Sequence, residues 1–256
     1  MSDQPPKLQW KDVRIHLSGH DVLDGLNLTA QTGRSLVVIG GSGQGKSVTI
    51  KIAMGLMTPD SGQILIDGED VTHLTGARRN QLFARFGMLF QGAALFDSLP
   101  VWENVAFRLI NADGLSRPEG RKRAIEALAK VRLGKEVADL YPGDLSGGMQ
   151  KRVALARAVV GSPEIIMFDE PTTGLDPITA DAVNDLIVEQ VKQLGCTAIS
   201  ITHDLASARK IGDDVAMLHG GRIVWSGPVE SLDNSGNPYV EQFLAGRAEG
   251  PITAAI

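Results

Sequence analysis

Along most of the chain, short apolar runs alternate with longer stretches whose apolar positions recur at helical spacing. Residues 8–15, 26–30 and 63–66 read as strands bounded by Gly and Asp turn signals. Residues 35–40 (SLVVIG) and 164–168 (EIIMF) are continuously apolar, the pattern of strands covered on both faces of a parallel sheet. Residues 196–202 and 214–219 extend that set, and 86–90 form another short apolar run. Between them, 46–57, 121–131, 149–160, 178–194 and 204–211 carry helical patterns. Strands alternating with helices predict an α/β layered fold with ligands at the carboxyl ends of the strands. From about residue 95 to 160 the patterns are helical and no strand stands out, which predicts a helical subdomain inserted into the sheet domain. The expected domain spans 1–245, and the last residues, 246–256, ending AEGPITAAI, are expected to be a loose tail.

Composition narrows the class. With 256 residues, 43% of them hydrophobic, the chain can pack a sizeable core as a single domain. A net charge of −5 argues against a nucleic-acid partner, because neutralising phosphates needs a basic face. The single cysteine, Cys196, cannot form an internal disulfide, which suits a reducing compartment, and it is expected to be a small buried hydrophobe. The first ten residues, MSDQPPKLQW, lack the basic flank and apolar run of a signal peptide. The apolar runs are far shorter than the ~20 residues that span a bilayer, so the chain is not expected to cross a membrane.

The chemistry starts after the third apolar run. Gly40, Gly41, Ser42, Gly43, Gln44, Gly45, Lys46 and Ser47 fit G-x-x-x-x-G-K-[ST] between a strand and a helix. Glycines let such a loop curl until its N–H groups face phosphate oxygens, and the helix opening near Lys46, with Val48 in its first turn, adds its positive end. Lys46 is expected to reach the β- and γ-phosphates, and the Ser47 hydroxyl to ligate Mg²⁺. At ordinary glycine usage the four fixed positions coincide by chance in about one chain of this length in a hundred.

A second apolar strand ends in Asp169 and Glu170. Asp169 suits the Mg²⁺ shell, and Glu170 suits a general base that polarises the attacking water. An apolar run before two acids is weak evidence alone and gains weight downstream of a phosphate loop. His203 follows another strand and can hydrogen-bond a γ-phosphate oxygen and the water. Gln91 follows residues 86–90 and offers an amide oxygen to Mg²⁺ or to the water. Leu145-Ser-Gly-Gly148 opens a helix: Ser146 suits the N-cap, and the N–H groups of Gly147 and Gly148 form another anion site. One phosphate group rarely needs two helix N-termini from one chain, which suggests that this second site serves a partner's nucleotide.

In this order the residues resemble the ATP-binding cassette ATPases over nearly the whole chain. The resemblance implies an ATP-hydrolysing cassette: a RecA-like phosphate-loop core, an N-terminal antiparallel β subdomain and an inserted helical subdomain. It makes Gln91 the Q-loop, residues 145–149 the signature, Asp176 part of a D-loop at the nucleotide, and His203 the switch histidine. It also implies ATP and Mg²⁺ as cofactors and a head-to-tail dimer in which each ATP lies between one phosphate loop and the other copy's signature. Membrane-spanning permease subunits would dock beside the Q-loop, placing the chain on the cytoplasmic, inner face of the cell membrane as a peripheral subunit.

Two departures stand out. The adenine-stacking aromatic usual near positions 15–18 is missing, and Ile15 or His16 is expected to substitute. The signature's fifth position is Met149 where Gln is common. That methionine, the apolar stretch Gly92-Ala-Ala-Leu-Phe96 and the residues 104–107 and 168–178 look like a subgroup that moves phospholipid between envelope membranes, with a lipid permease and an MCE-domain lipid-binding protein as partners. The alternative is the ATPase of a solute importer of amino-acid type, in which the segment after the Q-loop is more often polar. A soluble cassette protein of translation or DNA repair is disfavoured by the single phosphate loop and the negative charge.

Overall fold

A computed structural model describes residues 5–253. The first four positions, and the last three of the expected tail, lie outside the described residues. The chain forms two compact units, one made of residues up to Arg79 together with those from Ile199 onward, the other of Asn80–Ala198.

In the first unit the chain opens with a hairpin, β1 (Leu8–Leu17) and β2 (His20–Ala30). Their register pairs Leu17 with His20, and the two residues between, Ser18 and Gly19, both have positive φ, the two-residue turn that matches strand twist. β3 (Ser35–Ile39) is buried almost throughout, as its unbroken apolar sequence requires. It leads into α1 (Lys46–Ala53), then β4 (Ser61–Ile66), the short β5 (Glu69–Asp70) and α2 (Gly76–Ala84), within which the chain passes into the second unit. The antiparallel sheet has the order β2–β1–β4–β5. Trp10, Leu23, Leu26 and Ile64 fill its inner face, and the Trp10 indole N–H donates to the Thr49 carbonyl of α1 at 3.1 Å.

The second unit begins with β6 (Phe86–Leu89). Three helices follow with only 3-10 turns between them: α3 (Val101–Asn111), α4 (Arg117–Lys130) and α5 (Gly147–Val159). β7 (Ile165–Asp169) runs parallel to β6. α6 (Pro177–Leu194) starts on an Asp176 cap and ends at Gly195, whose φ of 63° suits the left-handed turn that closes a helix. Cys196 after it is buried, and burial pushes its thiol up to about 11, so it behaves as the small hydrophobe expected.

β8 (Thr197–Thr202) carries the chain back to the first unit, followed by α7 (Leu205–Ile211), β9 (Asp214–His219), β10 (Arg222–Pro228) and α8 (Pro238–Ala245). There β10, β9, β3 and β8 lie side by side in that order, β9 parallel to β3 and antiparallel to β10. The segment after α8 differs from the loose tail expected: the buried Gln242 amide donates to the carbonyls of Arg247 and Ile252 and accepts the Ile252 N–H. One buried amide thus replaces the regular backbone pairing that this Gly- and Pro-containing stretch cannot make. No helix among the described residues is long and apolar enough to cross a membrane.

Candidate active site

The phosphate loop leaves the buried end of β3. At Gly40, φ is 154° and a Cβ would stand 2.4 Å from the Leu218 carbonyl oxygen, so only glycine passes the neighbouring β9. Gly45 takes φ 94° immediately before α1 and packs on the Val22 carbonyl of β2. The Lys46 ammonium is buried and donates to the carbonyls of Gly40 and Gly41, each at 2.9 Å, which closes the loop into a ring. No acidic residue occupies the first turn of α1, so the helix end keeps its positive character for an anion. The Gln44 side chain is pinned by the Gly220 N–H at 2.8 Å, so it braces the loop from outside.

On the same unit, His203 is exposed at the end of β8, next to Asp204, which caps α7 by accepting from the N–H groups of Ala206 and Ser207. The expectation for Ile15 is corrected: it is 4% exposed and faces the core, so it cannot stack on a base. His16, its neighbour, points outward as strand alternation requires, with its ring 2.9 Å from the Asp21 carboxylate across the hairpin. Asp21 immediately precedes Val22, against which Gly45 packs, so the hairpin end carrying His16 adjoins the phosphate loop.

In the second unit β7 delivers Asp169 and Glu170, both nearly buried. The chain turns sharply there, with Glu170 at φ 49°. Thr173 donates its hydroxyl to Glu170 Oε2 at 2.8 Å. The Gln91 backbone is drawn into the same cluster by a residue the sequence reading passed over, Lys151. Its ammonium donates to the Gln91 carbonyl and, at 3.4 Å, to the Glu170 carbonyl. Burial pushes the Lys151 ammonium below its ordinary range, and the Asp169 and Glu170 carboxylates oppose the shift. A signal was present: Lys151 shares a helical register with Ala154 and Leu155, both fully buried.

The signature opens α5 as expected. Ser146 is the N-cap, its hydroxyl accepting the Met149 N–H at 3.3 Å, and no acid lies in the first turn. Asp176 is engaged as the α6 cap: it accepts the N–H groups of Ile178 and Thr179, and bonding from Thr179 holds its carboxyl below the usual range. Of the large apolar residues that follow Gln91, Trp102 is core, 8% exposed, with the Arg117 guanidinium 5.1 Å from its ring. Phe96 stays 44% exposed and stacks on the exposed Phe107 at 4.6 Å. Leu95 and Leu99 are half-buried.

Comparison with known proteins names the class: the ABC transporter family matches residues 23–173, and the chain belongs to it. It is an ABC-type ATPase. Among particular relatives, it is 37% identical over 245 residues to the intermembrane phospholipid transport system ATP-binding protein MlaF of Escherichia coli K12, covering 96% of this chain and 91% of that one. It is 40% identical over 231 residues to the probable ribonucleotide transport ATP-binding protein mkl of Mycobacterium tuberculosis, 90% of this chain and 64% of that one. The chain therefore spans less than two thirds of that relative. The methionine import ATP-binding protein MetN of Caulobacter vibrioides is 40% identical over 237 residues, 93% of this chain and 71% of that one. The dimeric post-hydrolysis structure of the ATP-binding cassette MJ0796 bound to ADP and Pi superposes with a TM-score of 0.79 at 31% identity, over 87% of this chain and 98% of that one.

Proposed function

We propose that this cassette powers phospholipid movement between envelope membranes, as a head-to-tail dimer docked from the cytoplasmic side on a membrane permease. An MCE-type lipid carrier would act further along the same route. The observation that carries the cargo assignment is the apolar segment Gly92–Phe96, whose Phe96 forms an exposed aromatic pair with Phe107. It suits a face that meets a lipid permease, and it joins the Met149 signature and the extent of the match to MlaF. The names of mkl and MetN concern other cargoes, so the test must read cargo directly.

In this reading the phosphate-loop N–H groups and Lys46 hold the β- and γ-phosphates, and His203 hydrogen-bonds a γ-phosphate oxygen. Glu170, oriented by Thr173, takes the proton of the attacking water. Ser146, Gly147 and Gly148 meet the γ-phosphate held by the other copy, with Asp176 aligning the start of α6 beside them. Ser47, Asp169 and Gln91 would hold Mg²⁺. All three offer oxygen, the donor a hard cation prefers, and among the described residues no cluster of three His, Cys, Asp or Glu makes a self-sufficient metal site. The ion, once bound with ATP, supplies charge neutralisation for phosphoryl transfer.

The experiment is reconstitution of the complex purified through a tag on this chain, with fluorescent phospholipid in donor vesicles. ATP-dependent transfer that is lost in Glu170→Gln supports the reading. ATP-dependent uptake of methionine or a ribonucleoside by the same vesicles, without lipid transfer, replaces it with the importer reading.

A further inference from the structure

Helix α5 carries two cations six positions apart, the buried Lys151 and the half-buried Arg157, and both spend N–H groups on backbone carbonyls of neighbouring turns. Arg157 donates to the carbonyls of Ala93 and Ala94, each at 2.6 Å. Lys151 donates to the carbonyls of Gln91 and Glu170. Three of these four carbonyl-bearing residues, Ala93, Ala94 and Glu170, are non-glycine residues with φ of 62°, 48° and 49°. Alanine and glutamate gain nothing of their own from that left-handed backbone. What offsets the conformation is the carbonyl, turned to meet a cationic donor in a charge-assisted hydrogen bond. The loop after β6 and the turn after β7 are thus both bent onto one helix, and that helix begins at Ser146.

We propose that Lys151 is a positioning residue for hydrolysis. Its ammonium ties the Gln91 loop to the backbone of Glu170, so that the base takes its place only when α5 and the loop are seated together. Arg157 makes the loop stiff enough for the tie to transmit position. The inference rests on Glu170 as the base, and it assigns to Lys151 no contact with nucleotide.

The test measures ATP turnover and ATP binding in the assembled transporter purified through a tag on this full-length chain. Lys151→Met is expected to lower kcat by about tenfold to a hundredfold, the effect of losing charge-assisted hydrogen bonds, with KM for ATP within about twofold. Lys151→Arg, which keeps charge and donors, should recover a large part of kcat. In a Glu170→Gln background, Lys151→Met should cost little further residual turnover, because both changes act through the same group. Wild-type kcat in Lys151→Met overturns the proposal, as does equal loss of ATP binding and turnover. Full multiplication of the two effects in the double variant also overturns it. Should Lys151→Met fail to assemble, Lys151→Gln, which keeps an NH₂ donor group but not the charge, carries the same comparison. Wild-type turnover in Glu170→Gln alone removes the base assignment itself, whereas a dead Glu170→Gln beside an active Lys151→Met removes only the role of Lys151.

Discussion

Thr173 donates its hydroxyl to Glu170 Oε2 over 2.8 Å, a bond that orients the carboxylate at the turn after β7. Glu170 sits on a left-handed turn after β7, and Thr173, three residues on, ties its carboxylate to that turn.

Two expectations follow from that bond. Glu170→Gln should retain ATP binding and lose hydrolysis by about 10²–10⁴-fold, since an amide cannot accept the water's proton. Thr173→Val should reduce kcat by a smaller factor, roughly threefold to tenfold, with KM unchanged, because the base stays in place and one hydrogen bond is worth about 0.5–1.5 kcal/mol net. Single-turnover ATP hydrolysis checks both. Equal losses in the two variants would mean that Thr173 supports the turn as a whole.

Lys46→Ala should abolish tight ATP binding, and the geometry adds a second cost. The ammonium also bridges the Gly40 and Gly41 carbonyls, so its removal leaves two buried or half-buried acceptors unsatisfied within the loop. Lys46→Ala is therefore expected to lower thermal stability without nucleotide as well as binding with it. Calorimetric melting with and without ATP separates the two effects, and an unchanged melt without ATP would show that the ring closure contributes nothing.

How much of this could be read from the sequence depended on where each segment's partners lie. β3, β7 and β9 were legible because strands covered on both faces are apolar throughout. The first half of β2 was not, since His20, Asp21, Asp24 and Gly25 give it the composition of a polar turn. β10 and α8 were missed for related reasons: Arg222–Pro228 is nowhere fully buried, and α8 is only two turns long despite its Asn237 cap and Pro238 start. The phosphate loop, Asp169 and Glu170 were legible because motif and strand end coincide. Lys151 was not, because its partners are backbone carbonyls 60 and 19 residues away, which no local pattern announces.

Ser146 separates a capping role from a role toward the partner's nucleotide. Ser146→Ala removes the α5 cap and should cost about 1 kcal/mol of stability while leaving the approach to Gly147 and Gly148 open. Ser146→Arg removes the same cap and adds a bulky cation at that approach. Turnover should therefore fall far more in Ser146→Arg than in Ser146→Ala, at similar melting temperatures. Equal turnover in the two would end the composite-site reading.

The last expectation concerns docking. Asn104 is fully buried on α3, accepts the Phe96 N–H at 2.7 Å, and donates to the carbonyls of Phe96 and Leu99. Phe96 is therefore held outward by its backbone, while its ring leans on Phe107. A residue fixed in this way presents apolar surface that folding does not use, which is the signature of an interaction site. Phe96→Asp should leave the isolated chain's melting temperature and basal ATPase nearly unchanged and remove stimulation by the permease. Asn104→Ala should instead destabilise the fold by about 1–3 kcal/mol, because the buried peptide groups at Phe96 and Leu99 lose their partner. The pair of variants is diagnostic when both melting and permease-stimulated turnover are measured. If Phe96→Asp melts early, the ring belongs to the core. If it retains full stimulation, the permease docks elsewhere.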